Sequence, residues 1–168
     1  DRQIHLRPTP NAPRNEAPLP FPFLKSHHSP AGKYASEDGQ SECTSCAAGL
    51  FSADAATQCS NCTSGKYSAA EASTCTDCSV GYYMSRQRAS ACLACGAGSY
   101  ASSEGSTACT DCPAGYHSSS TGASSCAACD SGYYSGSGEA SCTKCSGGEY
   151  SGVNATTCQL CPVGRTSP

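Results

Sequence analysis

The chain has 168 residues, among them 16 Cys and no Trp, and carries a net charge of −3. Leu, Ile, Val and Phe together number 13, too little apolar surface to offset backbone ordering at roughly 1–2 kcal/mol per residue. That excludes one compact domain around an apolar core, and so small a charge argues against a nucleic-acid partner. Sixteen Cys mark a disulfide scaffold from an oxidising compartment.

Residues 1–28 differ in kind from the rest. Pro8, Pro10, Pro13, Pro18, Pro20 and Pro22 predict an extended arm, largely polyproline II. Arg2, Arg7, Arg14 and Lys25 against Asp1 and Glu16 leave it at +2, and residues 29–168 sum to −5. Arm and repeats therefore attract weakly. The arm holds two of the three Phe, in Leu19-Pro20-Phe21-Pro22-Phe23-Leu24. An extended segment without its own core must dock to become ordered. Alternating Leu19, Phe21, Phe23 and Leu24 suit addition along the edge of a neighbouring subunit. His27-His28 reads as a solvated turn, since few liganding groups surround it. There is no initiator Met and no signal peptide, so the chain reads as the processed product of a secreted precursor. No stretch approaches the ~20 apolar residues of a membrane span.

From residue 43 onward every Cys belongs to a C-x-x-C pair: Cys43/Cys46, Cys59/Cys62, Cys75/Cys78, Cys92/Cys95, Cys109/Cys112, Cys126/Cys129, Cys142/Cys145 and Cys158/Cys161. The pairs recur every 16 or 17 residues, a repeat array whose units are each predicted to be one short hairpin. Three residues after each pair stands a Gly: Gly49, Gly65, Gly81, Gly98, Gly115, Gly132, Gly148 and Gly164. Such a Gly serves a positive φ or a close backbone approach. Two residues later comes an aromatic: Phe51, Tyr67, Tyr83, Tyr100, Tyr134 and Tyr150, with His117 in that slot once and Thr166 in the last unit. The aromatics are expected to cover disulfides rather than to line a ligand groove. Ser or Thr precedes the next pair at Thr57, Ser73, Ser90, Thr107, Ser124 and Thr156, where side-chain to backbone bonds would close turns. One further unit lies upstream: Ser29-Pro30-Ala31-Gly32-Lys33-Tyr34, ending at Cys43, parallels Cys112-Pro113-Ala114-Gly115-Tyr116-His117, ending at Cys126. Ser29 stands where the opening Cys belongs.

The unit C-P-A-G-x-Y-S…C-x-x-C resembles the ephrin-receptor-like cysteine-rich repeat and is similar to the smallest loop module of tumour-necrosis-factor receptor ectodomains. The resemblance covers residues 29–168 and implies a small disulfide-rich fold. The expected fold is an elongated array of short two-stranded hairpins of 16–17 residues with little helix. Such repeats occur in receptors, adhesion proteins and large surface proteins, so the likeness says little about a ligand.

Sixteen Cys allow about two million pairings, and repetition leaves a few. The scheme that the resemblance also implies joins the second Cys of one pair to the first of the next: Cys46–Cys59, Cys62–Cys75, Cys78–Cys92, Cys95–Cys109, Cys112–Cys126, Cys129–Cys142 and Cys145–Cys158. Each such bridge is worth ~3 kcal/mol in the chain-entropy model. Bridges inside each pair, crossed patterns as in epidermal-growth-factor-like units, and zinc held by paired C-x-x-C motifs stay open alternatives. A c-type haem is excluded because no pair is followed by His, and eight copies argue against a redox motif. The first scheme leaves Cys43 and Cys161 unpaired. Either the chain continues beyond Pro168, or Cys161 of one subunit pairs with Cys43 of the next.

Two N-x-[ST] sequons, Asn154-Ala155-Thr156 and Asn61-Cys62-Thr63, agree with a secretory route, and Asn154 is the better acceptor because Cys62 stands beside Asn61. No catalytic constellation is present: the acids are scattered singly and His117 is alone. The Arg86/Arg88 pair is far short of a nucleic-acid surface. The sequence thus predicts a non-enzyme without cofactor or metal. A Pro-rich arm (1–28) precedes tandem repeats (29–168), whose first unit (29–45) is incomplete and whose last (161–168) is truncated. Its partners would be copies of itself or other extracellular proteins, with glycans possible. It would serve as a surface filament, hair or matrix subunit, or as the stalk of a receptor or adhesion ectodomain.

Overall fold

The computed structural model describes residues 28–37 and 39–162. The expectations for Leu19, Phe21, Phe23, Leu24 and His27, and for residues 163–168, lie outside these. The described residues form no helix. They form sixteen two-residue strands, β1 to β16, paired consecutively into eight antiparallel hairpins. Thus β1 (Lys33–Tyr34) pairs with β2 (Thr44–Ser45), β3 (Leu50–Phe51) with β4 (Ser60–Asn61), and β5 (Lys66–Tyr67) with β6 (Thr76–Asp77). The pattern repeats through β15 (Glu149–Tyr150) and β16 (Gln159–Leu160). Units are numbered from their opening residue: unit 1 at Ser29, then Cys46, Cys62, Cys78, Cys95, Cys112, Cys129 and, for unit 8, Cys145.

The second strand of each hairpin is the two-residue spacer of a C-x-x-C pair, as Ser60–Asn61 lies between Cys59 and Cys62. Extended backbone rises about 3.3 Å per residue, which carries the two Cys of a pair roughly 10 Å apart. That is beyond the reach of a mutual bridge and separates them too far to share one zinc. Each Cys instead serves a different loop. The observed bridges span Cα–Cα distances of 5.7–5.8 Å.

Three backbone ladders join the units. At the end of each unit, the N–H of the next unit's opening Cys donates back to the repeat Gly, as Cys78 to the Gly65 carbonyl at 2.8 Å, and the same bond recurs from Cys46 to Cys161. Between neighbours, the N–H of each repeat Gly from Gly32 to Gly132 donates to the carbonyl of the residue following the next unit's aromatic slot, as Gly65 to Met84 at 2.7 Å and Gly115 to Ser135 at 3.0 Å. In the third ladder the unit-opening carbonyl accepts from a residue deep in the next loop: Ser29 from Ala55, Cys46 from Glu71, Cys62 from Arg88, Cys78 from Gly105. These donors all have positive φ, at 59° for Ala55, 58° for Glu71, 59° for Arg88 and 60° for Asn154, with Gly105, Gly122 and Gly138 in the other units. This second left-handed slot has no fixed residue type.

The repeat glycines also reach past the nearest neighbour. Gly65 has φ +81°, and a Cβ there would overlap the Gly105 carbonyl oxygen two units on. Gly115 meets Asn154 in the same way. Alternate units are thus in backbone contact as well as neighbours, because only Gly lets two backbones approach so closely.

The core is a column of half-cystines and small residues. Cys62, Cys78, Cys95, Cys112 and Cys129 are fully buried. Beside them lies the residue after each aromatic slot: Ser52, Ser68, Ser118, Ser135 and Ser151, with Met84 and Ala101 in units 4 and 5. A column this thin buries little apolar area, so covalent bridges and backbone bonds carry the stability.

Candidate functional site

The structure places bridges at Cys46–Cys59, Cys62–Cys75, Cys78–Cys92, Cys95–Cys109, Cys112–Cys126, Cys129–Cys142 and Cys145–Cys158. Cys43 and Cys161 are free and partly exposed. Ser29 takes the half-cystine place of unit 1. It is 1% exposed, its hydroxyl donates to the Ala56 carbonyl at 3.0 Å, and its own carbonyl serves the third ladder. The hydroxyl bond replaces the sulfur bond and leaves Cys43 without a mate.

Serine has a role other than the expected one. Thr57, Ser73, Ser90, Thr107, Ser124 and Thr156 are exposed. The hydroxyls that tie the array follow the aromatic slot. Ser52 donates to Lys33 O at 2.8 Å, Ser68 to Leu50 O at 2.9 Å, Ser135 to Tyr116 O at 2.9 Å and Ser151 to Tyr133 O at 2.8 Å. Each reaches the first strand of the preceding hairpin. A buried hydroxyl has to find an acceptor, and the stacked strand supplies one. An exposed hydroxyl is satisfied by water and exerts no such pull.

The acids are not all solitary. Glu71 Oε1 accepts from Ser45 Oγ at 2.6 Å and stands 3.7 Å from Lys33 Nζ, a link from unit 3 to unit 1. The Ser45 hydrogen bond, and then the Lys33 charge, hold the Glu71 carboxyl below its ordinary value. Lys66 and Asp77 face each other across one hairpin, Nζ to Oδ1, at 2.7 Å. Both pairs are exposed and individually worth little.

His117 is not alone either. Its Nδ1 lies 3.1 Å from Cys142 Sγ, and the ring nitrogen and the sulfurs of Cys129 and Cys142 fall within 4.8 Å of one another. Those sulfurs are joined in a bridge, so they are not the thiolates that zinc requires. The ring fills the aromatic slot against a disulfide. His28 is exposed, as are Asn61 and Asn154. Asn154 sits on the turn of unit 8 in the second left-handed slot, a conformation Asn tolerates well.

Around unit 4 several side chains reach solvent. Val80, Tyr82 and Leu93 are 43%, 42% and 48% exposed. Leu93, Met84, Arg86 and Arg88 line a groove of about 430 Å³, and Tyr67 and Tyr82 line one of about 270 Å³ beyond Ala91. No helix is long and apolar enough to cross a membrane among the described residues.

The fold and bridges define a small disulfide-rich hairpin array whose architecture is set by cystines. Residues 65–108, from the Gly of unit 3 to the residue before Cys109 in unit 5, match the family model described as tyrosine-protein kinase ephrin type A/B receptor-like. With seven bridges in register, the chain fits an ephrin-receptor-like cysteine-rich repeat protein. Such repeats are structural or ligand-binding modules, and their many bridges indicate an extracellular location. No curated protein matches the chain.

Proposed function

We propose that the chain is a secreted structural protein whose stapled array assembles into a surface filament, hair or matrix through its N-terminal arm. The unbroken inter-unit ladder, repeated from Gly32 to Gly132, carries this reading. An array joined identically at every step needs no large core and resists extension by covalent loops and backbone bonds together. In this reading residues 1–28 form the arm and 29–168 the repeats. Leu19, Phe21, Phe23 and Leu24 lie along a neighbouring subunit, Cys43 and Cys161 are the thiols open to an intersubunit bridge, and Asn154 and Asn61 are the glycan acceptors. Electron micrographs of the full chain test it. Uniform fibres that vanish in the Phe21→Ser/Phe23→Ser variant are expected; isolated short particles from the unaltered chain would overturn it. The family match favours a second reading, a spacer or ligand-binding stalk of a receptor or adhesion ectodomain. Isolated particles would support that one.

A further inference from the structure

We propose that the Arg86/Arg88 groove of unit 4 docks the acidic loop of unit 1 from a second copy of this chain. The inference rests on the assembly reading above and names one of its contacts.

Glu71 and Arg88 occupy the same left-handed slot in units 3 and 4, with φ 58° and 59°. Both donate their N–H at 2.9 Å to the carbonyl that opens the preceding unit. Both place their carbonyl against the repeat Gly two units back, Gly32 and Gly49. The Glu71 charge is answered there, by Lys33 and Ser45, which face each other across the unit 1 hairpin. Two units before Arg88, the cross-strand pair at the positions of Lys33 and Ser45 is Leu50 and Asn61, and neither carries a negative charge. Among the described residues Arg88 therefore lacks the counter-ion that Glu71 has in its slot. Arg86 makes no ion pair among the described residues either, and both side chains are exposed. Left-handed backbone disfavours Arg relative to Gly by roughly 1–2 kcal/mol, and units 5, 6 and 7 use Gly in this slot. Units 2, 3 and 8 place Ala55, Glu71 and Asn154 there, so what sets unit 4 apart is an exposed cation in the slot, with a second cation, Arg86, two residues before it.

Charge selects the occupant. The chain's own arm, at +2, carries the same sign of charge as the Arg86/Arg88 groove and is disfavoured as its occupant. The strongest concentration of acid in the repeats is the loop of unit 1, Ser36-Glu37-Asp38-Gly39-Gln40-Ser41-Glu42, three acids with no base. Glu37 and Glu42 are exposed and form no ion pair among the described residues. Two cations on one unit and carboxylates three units away, none of them ion-paired among the described residues, are complementary between copies. A contact between different patches of the same chain is heterologous and need not close, so it propagates, as a filament requires.

Charge reversal with exchange tests the contact. The full chain, with free thiols alkylated, is followed by sedimentation velocity at low and physiological salt. Glu is an allowed residue in the Arg88 slot, since unit 3 carries one, so Arg86→Glu/Arg88→Glu keeps the fold. This variant and Glu37→Arg/Glu42→Arg are each expected to self-associate about tenfold more weakly than the unaltered chain. Mixed, they restore association, because each supplies the surface the other lacks. High salt weakens the unaltered chain and the mixture alike. Association of the unaltered chain that neither reversal alters, or variants that stay apart when mixed, would overturn the proposed contact and leave the assembly reading standing. An unaltered chain that remains monomeric would overturn both.

Discussion

Replacing Gly65 by Ala tests whether contact between alternate units holds the array. Gly65 has φ +81°, donates to Met84 O at 2.7 Å, accepts from Cys78 N at 2.8 Å, and would drive a Cβ into the Gly105 carbonyl. Gly132 is its internal control. It has φ +85°, and a Cβ there meets nothing within 4 Å among the described residues. It makes the same two bonds, to Ser151 O at 3.1 Å and from Cys145 N at 2.9 Å. The left-handed conformation costs Ala about 1–2 kcal/mol at either position. At Gly65 unit 5 must also move, which strains two backbone bonds worth about 1 kcal/mol each. Gly132→Ala should therefore cost about 1–2 kcal/mol and Gly65→Ala about 3–4 kcal/mol. Repeat arrays lose structure locally, so amide hydrogen exchange with the disulfides intact is the suitable assay. The difference of about 2 kcal/mol corresponds to roughly thirtyfold faster exchange at Cys78 in Gly65→Ala than at Cys145 in Gly132→Ala. Equal acceleration at the two sites would refute the argument and reduce the array to nearest-neighbour joints.

Ser29→Cys should close an eighth bridge with Cys43, because Ser29 lies in the half-cystine place and the register of β1 and β2 matches that of the bridged hairpins. Thiol titration should fall from two free groups to one, with about 3 kcal/mol of added stability; an unchanged thiol count would contradict the placement. Ser135→Ala removes a buried bond to Tyr116 O and should cost about 1 kcal/mol, read as faster exchange at Ser135 and its neighbours, whereas Ser124→Ala should change nothing measurable. Glu71 has a folded pKa below its unfolded value, so its contribution is complete above the ordinary carboxylate range and is lost as pH falls through the lowered value. Melting of the unaltered chain and of Glu71→Gln should therefore differ near neutral pH and converge in acid; a gap independent of pH would rule out the charge as its source. Expressed through a secretory pathway, the chain should carry a glycan removed by Asn154→Gln, seen as a mass shift after glycosidase treatment.

Much of the fold was legible because its specifying residues are covalent or sterically singular. Cysteine spacing set the period, and the repeat Gly marked a conformation that few other residues accept. The second left-handed slot was not legible. Ala55, Glu71, Arg88, Gly105, Gly122, Gly138 and Asn154 share no side-chain chemistry; what they share is an N–H aimed at the carbonyl that opens the preceding unit. Their conformation is imposed from outside, so composition carries no trace of it. The serine following the aromatic was visible in the consensus, yet its role depended on which carbonyl the stacked hairpin would present. His117 looked solitary for a similar reason: the disulfide it abuts belongs to the next unit.

By itself, the sequence determined the repeat length, the scarcity of apolar core, the hairpin-sized unit and the unmatched positions at Ser29 and Cys43. These follow from chain chemistry and short loops, where a few residues set their own geometry. Only the tertiary structure decided which backbone groups meet between units, that Gly65 faces Gly105 two units on, and that Glu71 finds a counter-ion in Lys33. Those outcomes depend on how one hairpin rotates onto the next, a sum of many weak contacts that no single residue encodes.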